Sequence, residues 1–238
     1  PGAEVWISDP SWENHRALFT HAGFTVEAYP YYDAETRGVR FEAMLAALNA
    51  AASGTIVVLH ACCHNPTGAD ITPAQWSQVV QAVKARNLVA FLDMAYQGFG
   101  DGLAEDGAVV QQFLAAGVDF LVATSFSKSF SLYGERVGAL SVVCESADET
   151  VRVLSQLKVA VRTNYSTPPT HGAQVVTTVL TTPELRRQWE EELAGMRLRI
   201  REMRLALADG LAAAGVKSDL SYITRQKGMF SYSGLSKE

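Results

Sequence analysis

The sequence predicts an α/β protein built on a mostly parallel sheet, and three observations carry that prediction. Short, nearly continuous apolar runs recur along the chain, segments of helix length separate them, and the runs do not alternate with polar residues. Strands buried on both faces read in this way, and regular strand and helix alternation is the pattern of an α/β domain.

The elements follow in order. Val5-Trp6-Ile7 is strand-like, and Thr55 to Leu59 is the first clear buried strand. Pro73 to Arg86 reads as a helix, with Thr72 as its N-cap and proline at the first helical position. Leu88 to Leu92 is the next strand, and Ala108 to Ala116 a helix stopped by Gly117. Phe120 to Thr124 and Ala139 to Val143 complete the strands of the sheet. Glu184 to Ala214 is rich in Glu, Arg, Leu, Met and Ala, as a long helix with a charged face is. Tyr222-Ile223-Thr224 and Met229 to Tyr232 read as strands. The change of character near Thr182 divides the chain into residues 1–181 and a second, incomplete domain over 182–238.

Composition narrows the function. The 238 residues are 48% hydrophobic and 19% charged, as in an ordinary globular protein. A net charge of −5 with interspersed signs gives no basic stripe for nucleic acid, and no apolar run approaches the roughly 18 residues of a membrane span. The start carries no secretion signal, and three cysteines, Cys62 and Cys63 adjacent, form no disulfide framework, which fits a reducing cytoplasm. The chain opens at Pro1-Gly2-Ala3 without methionine and reads as a piece of a longer protein.

In open α/β sheets ligands sit beyond the carboxyl ends of the strands. Three successive strands end in HACCHNPTG (60–68), DMAYQGF (93–99) and SFSKSFSLYGERVG (125–138), so Asn65, Asp93, Tyr96, Ser125, Lys128 and Arg136 can share one crevice. Each has a plain alternative. Lys128 could be a solvated loop residue, Asn65 to Gly68 an ordinary turn, and Asp93 a helix cap. His64 with the two cysteines raises the question of metal, but adjacent cysteines close a tetrahedral site poorly and no second ligand pair follows at a usual spacing, so no metal is assigned. Neither G-x-G-x-x-G nor the Walker pattern occurs. Taken together, the lysine, acid, phenol, amide and arginine suit pyridoxal 5'-phosphate, which needs a lysine for its aldehyde, an acid for its ring nitrogen and donors for its phosphate.

These segments, with SDPSWENH (8–15) and VRTNYSTPPTHG (161–172), resemble the class I pyridoxal-phosphate aminotransferases of the aspartate and aromatic group, in the same order and from residue 8 to about 235. The resemblance implies a fold-type I large domain, its sheet sandwiched by helices, and the start of a smaller α/β domain. It also implies a cytoplasmic homodimer with shared active sites, acting on amino acids and 2-oxo acids. On this resemblance Lys128 matches the Schiff-base lysine that also moves the substrate proton, Asp93 the carboxylate on the ring nitrogen, and His15 the imidazole behind it. Asn65 and Tyr96 match donors to the ring oxygen, Trp12 the aromatic stacked on the ring, and Ser125 and Arg136 phosphate ligands. Arg162 matches an arginine that crosses the dimer to a substrate's distal carboxylate; His60 lies near this network without an assigned role. The family's turn at Asn65-Pro66 implies a cis peptide.

Against the family's length of about four hundred residues, the chain lacks the leading hundred or so and the trailing seventy. With them go a glycine-serine phosphate loop, a tyrosine given to the neighbouring subunit and the arginine for the substrate α-carboxylate. Ser131 and Gly134, GVRFEAML (38–45) and GMFSYSGLS (228–236) are similar to the bacterial aromatic branch, with aspartate aminotransferase as the alternative. An aminotransferase-like regulatory domain without catalysis is a further alternative.

Overall fold

Apolar runs too continuous for a half-exposed sheet become, in a computed structural model of the chain, the centre of a six-stranded sheet. Residues 2–232 are described; Pro1 and residues 233–238, including the end of the 228–236 segment, lie outside them. The chain begins with β1 (Glu4–Asp9), α1 (Glu13–His21) and β2 (Thr25–Pro30). A small antiparallel pair, β3 (Tyr32–Asp33) and β4 (Gly38–Val39), leads into α2 (Phe41–Ala50). Then come β5 (Ile56–His60), α3 (Pro73–Arg86), β6 (Val89–Met94), α4 (Leu103–Ala116) and β7 (Phe120–Ser125). A single 3-10 turn at Tyr133–Glu135 precedes β8 (Gly138–Val143). Four helices close the chain: α5 (Ala147–Asn164), α6 (His171–Thr181), α7 (Pro183–Ala213) and α8 (Ser221–Arg225).

The strand order is β2-β1-β5-β6-β7-β8, parallel throughout except for the antiparallel β7–β8 pair. The chain therefore winds outward from β1 in both directions, and β1 and β5 flank the point of reversal. In doubly wound sheets that point opens the crevice where ligands bind. α1 enters from β1 on one side of it, and the turn after β5 supplies the other.

Burial explains the layers. On one face Val57, Leu59, Ala90, Leu92, Phe120 and Val122 meet α2, α3 and α4 through Met44, Leu48, Val79, Val83 and Phe113. On the other, Val5, Ile7, Val26 and Val58 meet Phe19 and Phe24 beside α1. α7 packs across the carboxyl edge, where a fully buried Leu193 joins Cys62, Cys63, Tyr96 and Phe99. Among the described residues no helix is long and apolar enough to cross a membrane.

Local chemistry fixes the helix ends. The Thr72 hydroxyl accepts the Gln75 N–H at 3.2 Å and the Gln75 side chain accepts the Thr72 N–H at 2.8 Å, a reciprocal capping box. Thr72→Ala is expected to cost about 1 kcal/mol in chemical denaturation of the folded protein; an unchanged midpoint would contradict the cap. At the other end of the segment between β6 and β7, Gly117 takes the left-handed conformation that stops α4.

Three expectations need correction. The segment Tyr222-Ile223-Thr224 is not a strand but part of α8. Its apolar residues are buried beneath α7, and just ahead of the helix the Asp219 carboxylate accepts the Ser221 N–H at 2.9 Å. Residues 229–232 are not a strand either: the Arg204 guanidinium takes the carbonyls of Gly228 and Phe230, leaving that backbone bound to a side chain rather than a ladder. α4 begins five residues earlier than expected, at Leu103, because Gly107 is an interior residue there and not a break.

Candidate active site

The crevice is assembled from the ends of β1, β5, β6 and β7. Register puts His60 directly beside Asp93, and Asp93 beside Ala123, so the acid stands in the middle of the carboxyl edge. α1 starts just past β1 and places His15, itself buried, over that acid. The His15 Nε2–H donates to Asp93 Oδ2 at 2.9 Å. With Nε2 protonated, Nδ1 accepts from the Ser11 hydroxyl, also at 2.9 Å. Burial alone would raise the Asp93 carboxyl, but the His15 hydrogen bond and the electrostatic influence of His60, His15 and, least, Lys128 together outweigh it and hold the group below the usual carboxylate range. Asp93 is therefore an anion at neutral pH in a largely dry setting.

Lys128 follows β7 and lies with its Nζ 4.7 Å from the centre of the Tyr96 ring. Burial lowers its amine below the usual lysine range; Asp93 opposes that fall and Arg136 adds to it. Tyr96 is pushed up to about 12, by burial first and then by Asp93, while an Asn65 side-chain hydrogen bond works the other way. The phenol thus stays protonated and able to donate. These couplings place Asn65, Asp93, Tyr96, Lys128 and Arg136 in one neighbourhood, with His15 behind it.

The other expected residues are accounted for as follows. Trp12 meets the edge of the His15 ring, centroids 5.3 Å apart, and remains 38% exposed over the crevice. Ser125 Oγ accepts the Ser127 N–H at 3.3 Å and so braces the loop that carries Lys128. Arg136 is exposed, in a left-handed backbone conformation, its guanidinium donating to the Tyr133 carbonyl at 2.9 Å. Arg162 does not join the cluster: it stands exposed on α5 and donates to Ser166 Oγ. Asn65-Pro66 is cis, as expected, and Asp9-Pro10 is cis as well. Cys62, Cys63 and Asp106 bring ligand atoms within 4.8 Å of one another, but the Asp106 carboxylate already accepts the N–H groups of Gly98, Gly100 and Asp101.

Sequence reasoning placed His60 near the network without a role and missed how Ser11 and His64 join it in a polar layer behind the acid. Ser11 links His15 to His60, 3.5 Å away, and the His60 ring lies 4.3 Å from that of His64. Burial pushes His60 well below the usual histidine range and His64 to about 3, so both rings are neutral. The available signal was the sequence itself, since Ser11 stands within SDPSWENH and His60 ends a strand.

The fold and the site together define an α/β protein that gathers a lysine, a histidine-held carboxylate, an amide, a phenol and an arginine at the carboxyl edge of its sheet. The chain belongs to the family of class I and II aminotransferases, which matches it across residues 1–238. It is 61% identical over 238 residues to an aspartate aminotransferase of Pseudomonas aeruginosa, covering 100% of the chain and 60% of that relative. Against a tyrosine aminotransferase of Klebsiella pneumoniae the identity is 56% over 236 residues, covering 99% and 59%. Among solved structures, an aromatic-amino-acid aminotransferase from Burkholderia pseudomallei, covalently bound to pyridoxal phosphate, superposes with a TM-score of 0.98 at 64% identity, covering 99% of this chain and 59% of that one. The chain spans about 60% of the length of these relatives.

Proposed function

We propose that the chain is the cofactor-binding part of a pyridoxal-phosphate-dependent aminotransferase. The enzyme transfers an amino group between an aromatic L-amino acid, tyrosine or phenylalanine and also aspartate, and 2-oxoglutarate in a ping-pong reaction. One observation carries the reading: a lysine amine held below its usual range shares a crevice with a partly buried carboxylate kept ionised with a histidine bonded to it. That donor set fits the cofactor, since it offers an amine for the aldehyde, an anion for the ring nitrogen, an amide and a phenol for the ring oxygen, and Arg136 with Ser125 for the phosphate.

When bound, the cofactor supplies an electron sink for the pair left at the substrate Cα. The chain's own residues do the rest. Lys128, with a weakened hold on its proton, would take the Cα proton and deliver it to the cofactor's C4′ carbon, not back to Cα. Asp93 would accept the ring N–H and hold that proton in place, with His15 and Ser11 fixing the orientation of the carboxylate. Tyr96 and Asn65 would donate to the ring oxygen, and Trp12 would cover the ring and limit the access of water.

The aromatic preference draws support from the names of several relatives, tyrosine and aromatic-amino-acid aminotransferases among them, and from Ser131 and Gly134 in the lysine loop. Aspartate aminotransferase is the second reading, favoured by the name of the 61% identical relative. A donor panel on the full-length protein decides between them: tyrosine, phenylalanine and aspartate, each with 2-oxoglutarate. A kcat/KM for aspartate well above both aromatic donors would overturn the aromatic assignment, and no transfer from any donor would overturn the class.

The assembly we infer is a cytoplasmic homodimer with shared active sites, with residues 1–181 as the cofactor domain and 182–238 as the connecting helix and the start of a second domain. The exposed place of Arg162 on α5, apart from the cluster, supports its service to the partner's site. Arg162→Ala is expected to cost aspartate and glutamate about 3 kcal/mol in kcat/KM, the scale of a broken desolvated charge pair, and aromatic donors much less. Equal losses on both classes would reject that role.

A further inference from the structure

Asn65 sits at the tip of a turn between β5 and α3, and the structure shows what holds that turn. The two backbone N–H groups immediately before it both point at one side chain: Cys63 N–H donates to Asp70 Oδ2 at 2.7 Å, and His64 N–H to Asp70 Oδ1 at 2.8 Å. The left-handed Cys63 turns the chain so that both can reach it. A second fastening runs through the fully buried His64 ring. Thr67 Oγ1 accepts the Ala69 N–H at 3.1 Å, so its hydroxyl proton goes to His64 Nδ1 at 2.8 Å, and His64 Nε2–H donates to Ser8 Oγ at 2.9 Å. The ring is stacked on Tyr31 at 4.0 Å. The far side of the turn is closed by Gly68, whose carbonyl accepts the Lys227 N–H at 2.7 Å and where a Cβ would stand 2.6 Å from the Phe230 carbonyl.

We propose that Asp70 is a positioning residue for Asn65: its carboxylate ties the two peptide groups that precede the amide and so fixes where the amide points. The proposal rests on the role given to Asn65 above. The Asp70 carboxylate takes the two N–H groups directly before Asn65, while the far side of the turn is held separately at Gly68, so the acid bears on the aim of the amide and not on closure of the turn. Its cost is visible. Burial lifts the Asp70 carboxyl to about 6, against the pull of the His64 and Cys63 N–H groups and of Lys227, with Asp106 adding to the rise. A neutral amide or hydroxyl at this place would be cheaper to bury but could not accept both N–H groups with two equivalent oxygens.

The test uses the full-length holoenzyme. Three variants, Asp70→Asn, Asn65→Ala and the double, are titrated over pH for the midpoint at which the visible absorption of the bound cofactor changes, and pyridoxal 5'-phosphate dissociation is measured at pH 8, where Asp70 is ionised. Asp70→Asn is expected to move the midpoint in the same direction as Asn65→Ala and to weaken cofactor binding by about tenfold, the scale of one lost charge-assisted hydrogen bond. The double variant is expected to match Asn65→Ala alone, since a positioning group has nothing left to position. If Asp70→Asn does not fold, Asp70→Ser, which is too short to reach either N–H, carries the same expectation. A lower melting temperature with an unmoved midpoint and affinity would overturn the proposal, as would additive shifts in the double variant. If Asn65→Ala itself leaves the midpoint in place, the assigned role of Asn65 falls first and the positioning role with it.

Discussion

Replacing Lys128 by alanine in the full-length protein is expected to abolish turnover, by about 10⁴-fold or more, while the cofactor still binds. The substitution removes the amine that attaches the cofactor and the base that moves the substrate proton in one step. Arg136, Ser125 and Asp93 remain, so cofactor is retained after gel filtration but washes out on dialysis, and the visible band of the lysine-bound form is lost. Borohydride reduction of the unmodified protein followed by peptide mapping gives the independent check. Label on Lys84 or Lys158 would sink the assignment, and it would be a surprise on structural grounds, because the Lys84 ammonium is already spent on the Ala116 carbonyl at 2.6 Å, at the opposite end of the sheet.

Asp93→Ala is expected to fail differently. Lysine attachment and its visible band persist, because Lys128 is untouched, while removal of the substrate Cα proton slows on the order of 10³-fold, the scale seen when one preorganised electrostatic group is lost from a reacting centre. Without the carboxylate nothing keeps the proton on the ring nitrogen, and His15 is left with an unanswered N–H. Single-turnover mixing with tyrosine separates the two outcomes. A variant that reacts at the unmodified rate would show that Asp93 only shapes the fold.

Much of this was legible because the central strands β5, β6 and β7 are largely covered on both faces, although the edge strand β8, equally apolar in sequence, is mostly exposed. Strands such as Leu88 to Leu92 announce themselves when every residue must be apolar, and a Thr-Pro start followed by Gln75 spells out its own cap. The crevice was legible for a related reason, since a doubly wound sheet sends its chemistry to one edge and the sequence marks each strand end with polar residues. What escaped lies where side chains from distant segments decide the outcome. Tyr222 and Ile223 are β-formers in a three-residue window too short for any period to show, and in the fold one helical turn buries both, with Arg204 of α7 donating to the Ile223 carbonyl. The Ser11, His60 and His64 layer escaped because the partnership of a serine with two histidines depends on how β1 and β5 meet in space. Nothing in the spacing of those residues along the chain announces it.

The reversal of β8 decides how the site can vary. Because β7 and β8 are antiparallel, with Ser125 opposite Gly138 and Phe126 N–H donating to the Val137 carbonyl at 3.2 Å, residues 126–137 form a closed loop whose two feet are locked together. The feet stand so close that a Cβ at Gly138 would come within 2.7 Å of the Thr124 carbonyl. Had the strand run parallel, a crossover would have carried the chain to the far edge of the sheet, and Arg136 with it. Instead Lys128 and Arg136 stand on one closed loop, their separation limited by its length rather than by the packing of remote helices. Exchange of the exposed Ser131 or Gly134 is therefore expected to leave the span between Lys128 and Arg136 unchanged, whereas an insertion between the two feet is expected to alter it.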